Sequence, residues 1–168
     1  MSRRRLPADV APVTAGSGQE SVWDYPRPAR REPTSRLPVV ICGGEAIAQT
    51  CQGYRVLETS HPPGYDIPTR DWRDGALSPA AGASLCEWKG RARYFDVRAG
   101  DSTAPTAASG DPEPTPRFAA IADCVSGYPG LMGRREIMVI PQPGGVYGGW
   151  ITPDIVGPCK GNAGPWGW

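Results

Sequence analysis

The stretch that decides the fold is SLCEWKGRARYFDV, residues 84–97. Two short runs within it, SLCEW and ARYFDV, are rich in aliphatic and aromatic side chains, and Lys89 and Gly90 lie between them. Runs of this length on either side of a glycine-containing turn are typical of paired β-strands. The stretch therefore predicts two neighbouring strands that reverse direction at Lys89 and Gly90.

The segment before this pair predicts a second hairpin and one further strand. VVIC and EAIAQT flank Gly43 and Gly44, the pattern of a hairpin with a two-residue loop. YRVLET, residues 54–59, predicts the next strand. Pro62 and Pro63 follow it, and we expect both to leave the β-ladder because proline has no amide donor and a fixed φ.

Four other segments carry weaker signals. PTRDWRDGAL, residues 68–77, predicts a turn or two of helix with Thr69 as its N-cap. Residues 98–116 have no periodic apolar pattern and contain four prolines, which predicts a loop or an insertion. RFAAIADCV, residues 117–125, fits a short helix or a strand equally well, because a brief apolar run does not define its own period. REIMVI, residues 135–140, predicts a final strand.

Together these segments predict a mainly β protein: a small antiparallel domain over residues 39–140, with one or two short helices. Residues 1–38 are rich in Arg and Pro and predict a largely disordered arm. Within that arm ESVWDYPRP, residues 20–28, is either a docked extended segment or a free linker. Residues 141–168 hold eight glycines and five prolines, which argues against regular structure. Their large apolar side chains predict that this segment wraps the domain: Tyr147, Trp150, Ile151, Ile155, Val156, Trp166 and Trp168.

The composition excludes several classes of function. Eighteen basic and seventeen acidic residues give a net charge of +1, so no overall field attracts nucleic acid or an anionic membrane. The opening MSRRRLP is not followed by an apolar core of signal-peptide length. No apolar run in the sequence approaches the ~20 residues that a membrane-spanning helix needs. Five cysteines stand singly, which predicts reduced thiols in a cytoplasmic protein: Cys42, Cys51, Cys86, Cys124 and Cys159. No metal site or cofactor is expected, since four close Cys or His ligands are absent.

One wider frame resembles a known family. The residues VICGGEAIAQT, YRVLETSHPP, IPTRDW and CEWKGRARY, spread over roughly residues 39–128, are similar to the bacterial and fungal family called domain of unknown function 427. The resemblance implies a compact antiparallel β domain like the β-tent of zinc-bearing methionine sulfoxide reductases, and it carries a nucleotidyltransferase-like label. This chain departs from the family pattern at Asp66, where a second aromatic usually stands, and at residues 108–110, where Trp and Tyr are common.

The candidate site residues surround the central turn. Strand alternation places Lys89, Arg91 and Arg93 on one face, where three cations need an anionic partner. That partner is either a bound anion or a protein carboxylate, for which Glu58 is the favoured residue. The full set of ligand-binding candidates is Glu58, Tyr65, Cys86, Trp88, Lys89 and Arg93.

Three functional hypotheses and a structural one follow from these residues. The first is a noncatalytic module that binds a small anionic ligand or a protein partner through Glu58, Lys89 and Arg93. The second is a transferase or hydrolase that uses Lys89 and Glu58 as an acid–base pair, and the third is a nucleic-acid-binding β module. The structural alternative is an ion pair from Glu58 to Lys89 or Arg93 inside a small β core. Cys86 is expected to be a buried thiol, and His61 a turn residue without catalytic partners.

Overall fold

The computed structural model describes residues 10–132, 140–143 and 148–161. Its strands are β1 (Glu20–Ser21), β2 (Arg30–Pro33), β3 (Val39–Cys42), β4 (Glu45–Gln49), β5 (Tyr54–Glu58), β6 (His61–Pro68), β7 (Leu77–Cys86), β8 (Gly90–Ala99), β9 (Ser102–Pro114), β10 (Cys124–Gly127), β11 (Ile140–Pro141), β12 (Trp150–Ile151) and β13 (Ile155–Val156). Three short 3₁₀ helices accompany them: Thr69–Asp71, Pro116–Ile121 and Pro129–Leu131.

Seven strands form one antiparallel sheet in the order β2-β5-β6-β10-β9-β8-β7. The prediction of a mainly β, antiparallel fold is confirmed. The central hairpin is also confirmed, because Leu85 pairs with Arg91 and Cys86 with Gly90 across β7 and β8. Gly90 has a φ of 114°, a conformation that side chains disfavour, which explains glycine at this turn.

The second predicted hairpin is present as a separate two-stranded sheet, β3 with β4. Its loop residues Gly43 and Gly44 have φ values of 58° and 82°, as a two-residue hairpin turn requires. The hairpin buries Val40 and Ile47 against the large sheet.

Three local predictions are wrong. Pro62 and Pro63 remain inside β6. The register of β5 with β6 is irregular at this point, which accommodates two residues that have no amide hydrogen to donate. Residues 102–114 form β9, a strand with neighbours on both sides, where a loop was expected. Thr69 is the first residue of its 3₁₀ helix, and the residue before it, Pro68, makes no side-chain cap.

The ambiguous run at residues 117–125 contains both structures that its pattern allowed. The 3₁₀ helix Pro116–Ile121 comes first and buries Phe118 and Ile121. The strand β10 begins at Cys124, three residues after the helix ends. The apolar run therefore serves two elements, each too short to show a period of its own.

Side-chain alternation gives the sheet two different faces. On the core face lie large apolar residues such as Tyr65, Ile67 and Val125, covered by the β3–β4 hairpin, Trp72 and Trp150. On the opposite face, here called the polar face, Asp66 pairs in register with Ser126, and Ser126 with Ser109. The polar face is partly covered by a smaller apolar cluster around Ala29, Phe118, Ile121 and Cys124.

Both flanking segments contact the sheet. β2 pairs with β5, and β1 pairs in parallel with β13, so residues 20–33 and 155–156 are joined to the domain and to each other. An ion-pair network ties them further, since Glu20 accepts from Arg55 at 2.9 Å and from Arg36 at 3.2 Å. The division of the chain at residues 38 and 140 stays a prediction.

Some sequence predictions fall on residues that the structure does not describe. Of the expected strand at 135–140 only Ile140 is described, in β11. Tyr147, Trp166 and Trp168 also lie outside the described residues. Trp150 and Ile155 are described and buried. No helix in the described part of the chain has the length and apolarity needed to cross a membrane.

The core face predicts a large cost for truncating Ile67, which is 0% exposed near the end of β6. We expect Ile67→Ala to lower the free energy of unfolding by about 2–5 kcal/mol, because the cavity adds to the lost transfer energy. Leu37→Ala, at a side chain that is mostly exposed, should change it by less than about 0.5 kcal/mol. Urea denaturation of both variants measures this, and equal effects would contradict the assignment of the core face.

Candidate functional site

Lys89 lies between two carboxylates from different strands. Its Nζ is 2.8 Å from Asp111 Oδ2 and 3.6 Å from Asp66 Oδ1. Lys89 is the last residue before β8, while Asp66 comes from β6 and Asp111 from β9. These three residues, here called the ion trio, join three segments that are distant in sequence.

The ion trio is buried and its charges depend on one another. Asp66 is 2% exposed and Asp111 is 1% exposed. Burial and the nearby Asp111 carboxylate raise the pKa of Asp66, although Lys89 acts in the opposite direction. Burial alone would lower the pKa of Lys89, but the carboxylates of Asp66 and Asp111 raise it instead. Apart from Lys89, no hydrogen-bond partner for Asp66 Oδ1 or either Asp111 oxygen is found within the described residues.

Glu58 is not the partner of Lys89, contrary to the favoured sequence interpretation. Its Oε1 accepts a hydrogen bond from Arg27 in the N-terminal segment. Arg27 also donates to Glu87 Oε1 at 2.8 Å, and its guanidinium carbon lies 5.0 Å from the centre of the Trp88 ring. Arg27 therefore connects Glu58, Glu87 and Trp88, and Glu58 and Lys89 do not form an acid–base pair.

His61 lies at the start of β6, in register with Glu58. Its Nδ1 is 3.8 Å from Glu58 Oε2 and 3.2 Å from the carbonyl oxygen of Thr59. Burial lowers the pKa of His61, while Glu58 acts to raise it. His61 is therefore the first residue of β6, directly after the turn at Thr59 and Ser60, and not a turn residue as the sequence predicted.

The other candidates are separated by the sheet. Tyr65 is buried on the core face, where its ring centre lies 5.1 Å from that of Trp150. Arg93 is exposed on β8. Cys86 Sγ accepts the Lys89 amide at 3.5 Å, and the Trp88 carbonyl accepts from the Thr115 hydroxyl at 2.7 Å. Cys86, Trp88 and Lys89 thus share one turn, whereas Tyr65 and Arg93 lie elsewhere.

Sequence reasoning missed Asp66, Asp111 and Arg27. Asp66 carried a signal, because it stands at a position where the family resemblance favours an aromatic residue. Asp111 carried none, since it lies in the segment interpreted as a loop. Arg27 falls in a Pro- and Arg-rich segment whose pattern does not distinguish one arginine from another.

The thiols and the metal-ligating side chains offer little chemistry. Burial raises the pKa of Cys124 to about 12 and that of Cys159 to about 11, so both remain protonated thiols. The described cysteines are all free, and no cluster of three His, Cys, Asp or Glu side chains among the described residues is arranged to hold a metal ion.

An open cleft of about 420 Å³ lies beside the 3₁₀ helix Pro116–Ile121. Segments from β2, the β4–β5 turn, the end of β6 and the start of β10 form its walls. It is lined by Pro33, Thr34, Cys51, Gln52, Gly53, Tyr54, Pro68, Arg70, Ala120, Asp123 and Cys124. None of the six candidates from the sequence lines it.

The cleft contains one cation, one carboxylate and one aromatic ring. The Arg70 side chain is 66% exposed, and its Nη2 donates to Gln52 Oε1 at 2.6 Å, which fixes the arginine at the rim. Tyr54 pairs in register with Asp66, and the negative charge of Asp66 helps to raise the pKa of Cys124. The cleft therefore lies close to the ion trio, but none of the three residues of the trio lines it.

Comparison with known protein families identifies a match over most of the chain. Residues 30–137 match the family model described as Domain of unknown function (DUF427). A search of curated proteins finds no match.

The ion trio predicts a large effect of Lys89→Met, which leaves two buried carboxylates uncompensated. We expect the free energy of unfolding to fall by about 3–5 kcal/mol at neutral pH. Arg93→Met removes an exposed cation nearby and should cost less than about 0.5 kcal/mol. Urea denaturation of the two variants makes the comparison, and equal stability would show that Lys89 does not compensate the carboxylates.

The raised pKa of Asp66 predicts a pH dependence of stability. The folded state holds the Asp66 proton at pH values where the unfolded chain has lost it, so this contribution is present in acid and disappears as the pH rises through the folded pKa. Asp66→Asn should remove that part of the decline in stability between acid and neutral pH. Denaturant midpoints measured over that range test it, and parallel curves for wild type and variant would contradict it.

Proposed function

The chain belongs to the DUF427 family, whose function is unknown, and from this premise we propose that it is a noncatalytic module that binds a small molecule. The ligand carries a carboxylate or similar anionic group next to a hydrogen-bond donor such as an ammonium. The binding site is the cleft between Arg70, Tyr54 and Asp123.

The observation that carries this proposal is that a positive and a negative side chain, Arg70 and Asp123, line the same cleft of ligand size. Its volume of about 420 Å³ falls in the range of small-molecule sites. The guanidinium of Arg70 suits bidentate contact with a carboxylate, and Asp123 accepts hydrogen bonds from a cationic or hydroxyl group. Tyr54 adds an aromatic surface to the lining, against which the body of a small ligand can pack.

Arg70 replaces Lys89 as the anchor of an anionic group. The two aspartates already compensate Lys89, so the ion trio as a whole has no surplus positive charge to attract an anion. Arg70 has one hydrogen bond to a neutral amide and its nearest carboxylate contact, Nε to Asp71 Oδ1, is 4.0 Å long. More of its donor capacity is thus left for a ligand.

The lining favours recognition over catalysis. It contains no histidine, lysine or serine, and the Cys124 thiol is held protonated by burial. A nucleophile needs a base within hydrogen-bond reach, and among the described residues neither Cys51 nor Thr34 hydrogen-bonds to the one carboxylate of the lining, Asp123. The acid–base alternative through Lys89 and Glu58 is disfavoured because those side chains have separate partners.

The proposal predicts that α-amino acids and short amino-carboxylates raise the melting temperature. A thermal-shift screen should include these together with polyols, dicarboxylates and inorganic phosphate. In Arg70→Ala, the affinity for the stabilising compound should fall at least about tenfold, because the charge-assisted contact is lost. Arg117→Ala, at an exposed arginine outside the cleft lining, is the matched control and should bind like wild type.

Two outcomes would oppose the proposal. If no compound of the panel stabilises the wild type, the cleft is not a site for this ligand class. If phosphate or another anion stabilises Arg70→Ala but not Lys89→Met, the anionic-ligand hypothesis centred on Lys89 is the better one.

A further inference from the structure

The ion trio brings together the two atoms that an amide bond between side chains would join. Lys89 Nζ lies 2.8 Å from Asp111 Oδ2. The carboxyl carbon of Asp111 is at most one C–O bond farther away, so it lies within about 4 Å of the Lys89 nitrogen. Bonds form from separations of about 3–3.5 Å between the reacting atoms. The nitrogen and the carboxyl carbon are therefore close to the distance at which they can react.

The contact between Lys89 and Asp111 is closed, and Asp111 has no competing partner. The Asp111 side chain is 0% exposed and that of Lys89 is 18% exposed. Apart from Lys89, no donor among the described residues bonds to either Asp111 oxygen. Asp111 also lies where the β8–β9 register shifts, between Arg91 and Arg93, so that β9 has two residues opposite one of β8. A bulge of this kind re-aims the side chains within it, which accounts for the contact of Asp111 with Lys89.

Asp66 adds an acid to the pair. Its Oδ1 is 3.6 Å from the same Lys89 nitrogen. Burial and the Asp111 carboxylate raise the pKa of Asp66, which favours its protonated form. A carboxylic acid beside a reacting carboxyl group protonates the oxygen that has to leave. The ion trio thus contains a nitrogen nucleophile, a carboxyl carbon and an acid in one buried place.

We infer that Lys89 and Asp111 condense into an isopeptide bond, an amide that links the turn before β8 to β9. The Lys89 ammonium first passes a proton to Asp111 across their contact, which gives an amine and a carboxylic acid. The amine lone pair attacks the Asp111 carbon and the N–C bond forms. Asp66 protonates the departing hydroxyl, the C–O bond breaks, and water leaves. The nitrogen then returns a proton to Asp66, so one ammonium and one carboxylate become one amide and one water.

Burial favours this reaction. The carboxylates raise the pKa of Lys89, so the ionic trio is the starting state and the amine forms only by transfer of a proton within the contact. An amide carries no charge, and its formation removes the cost of keeping an ammonium and a carboxylate out of water. Reactants held side by side have an effective concentration of about 10⁵–10⁸ M, which takes the place of an activating group. We therefore expect the bond to form slowly, after the sheet has folded.

Mass spectrometry of the intact, denatured full chain tests the inference. After incubation at neutral pH, the wild type should be lighter than its sequence by one water. Trypsin should release residues 74–91 joined to residues 99–117 as one branched peptide, because an amidated Lys89 is not cleaved. Asp111→Asn should be lighter by one ammonia, since the amide nitrogen leaves in place of the hydroxyl. Lys89→Arg keeps the positive charge without a reactive amine, and this matched control should have the mass of its sequence.

Other results would overturn the inference. A folded wild type that keeps the full mass of its sequence after prolonged incubation has no such bond. A branched peptide that joins Lys89 to Asp66 would show that the wrong carboxyl group has been assigned. Asp66→Asn should slow bond formation about 100-fold or more, and an unchanged rate would exclude Asp66 as the acid. Circular dichroism checks the folding of each variant, and the wild-type mass and branched peptide decide the inference if a variant does not fold.

Discussion

The buried contact of Lys89 with Asp66 and Asp111 is the constraint on which the arrangement of the sheet depends. Removing three charges from water is costly, and their mutual attraction offsets that cost only when the three side chains meet closely. They come from β6, β9 and the turn before β8, so the contact is made in one register of these strands and lost in others. The ion trio thus contributes more to fixing the register of these strands than to the stability of the sheet.

The fold class and two hairpins could be predicted because turns leave a local signal. Gly43-Gly44 and Lys89-Gly90 both lie between apolar runs, and the structure places a turn at each. β9 could not be predicted, because its buried residues are small ones such as Ala104 and Ala107, which give no apolar period. Its strand conformation comes from hydrogen bonding to β8 and β10, which is tertiary information.

The candidate site was predictable only in part. Lys89 stood out because of its place in the turn, but its partners are set by distances across the sheet that spacing in the sequence does not contain. Glu58 was a reasonable partner for a nearby cation, but its hydrogen-bond partner is Arg27, from the N-terminal segment. The cleft is assembled from several separate segments, so no single stretch of sequence predicts it.

The parallel pairing of β1 with β13 has a consequence for the order of events during synthesis. The Trp23 indole donates to the carbonyl oxygen of Pro158 across a sequence separation of 135 residues, close to the same pairing. A nascent chain exposes β1 long before the ribosome has made its partner. The side chains of Val22 and Tyr25 are then not fully buried until Ile155 and Cys159 have been synthesised and pack against them. This cluster therefore closes late in folding, after residues 155–159 have been made, and until then the growing chain offers an apolar surface to chaperones.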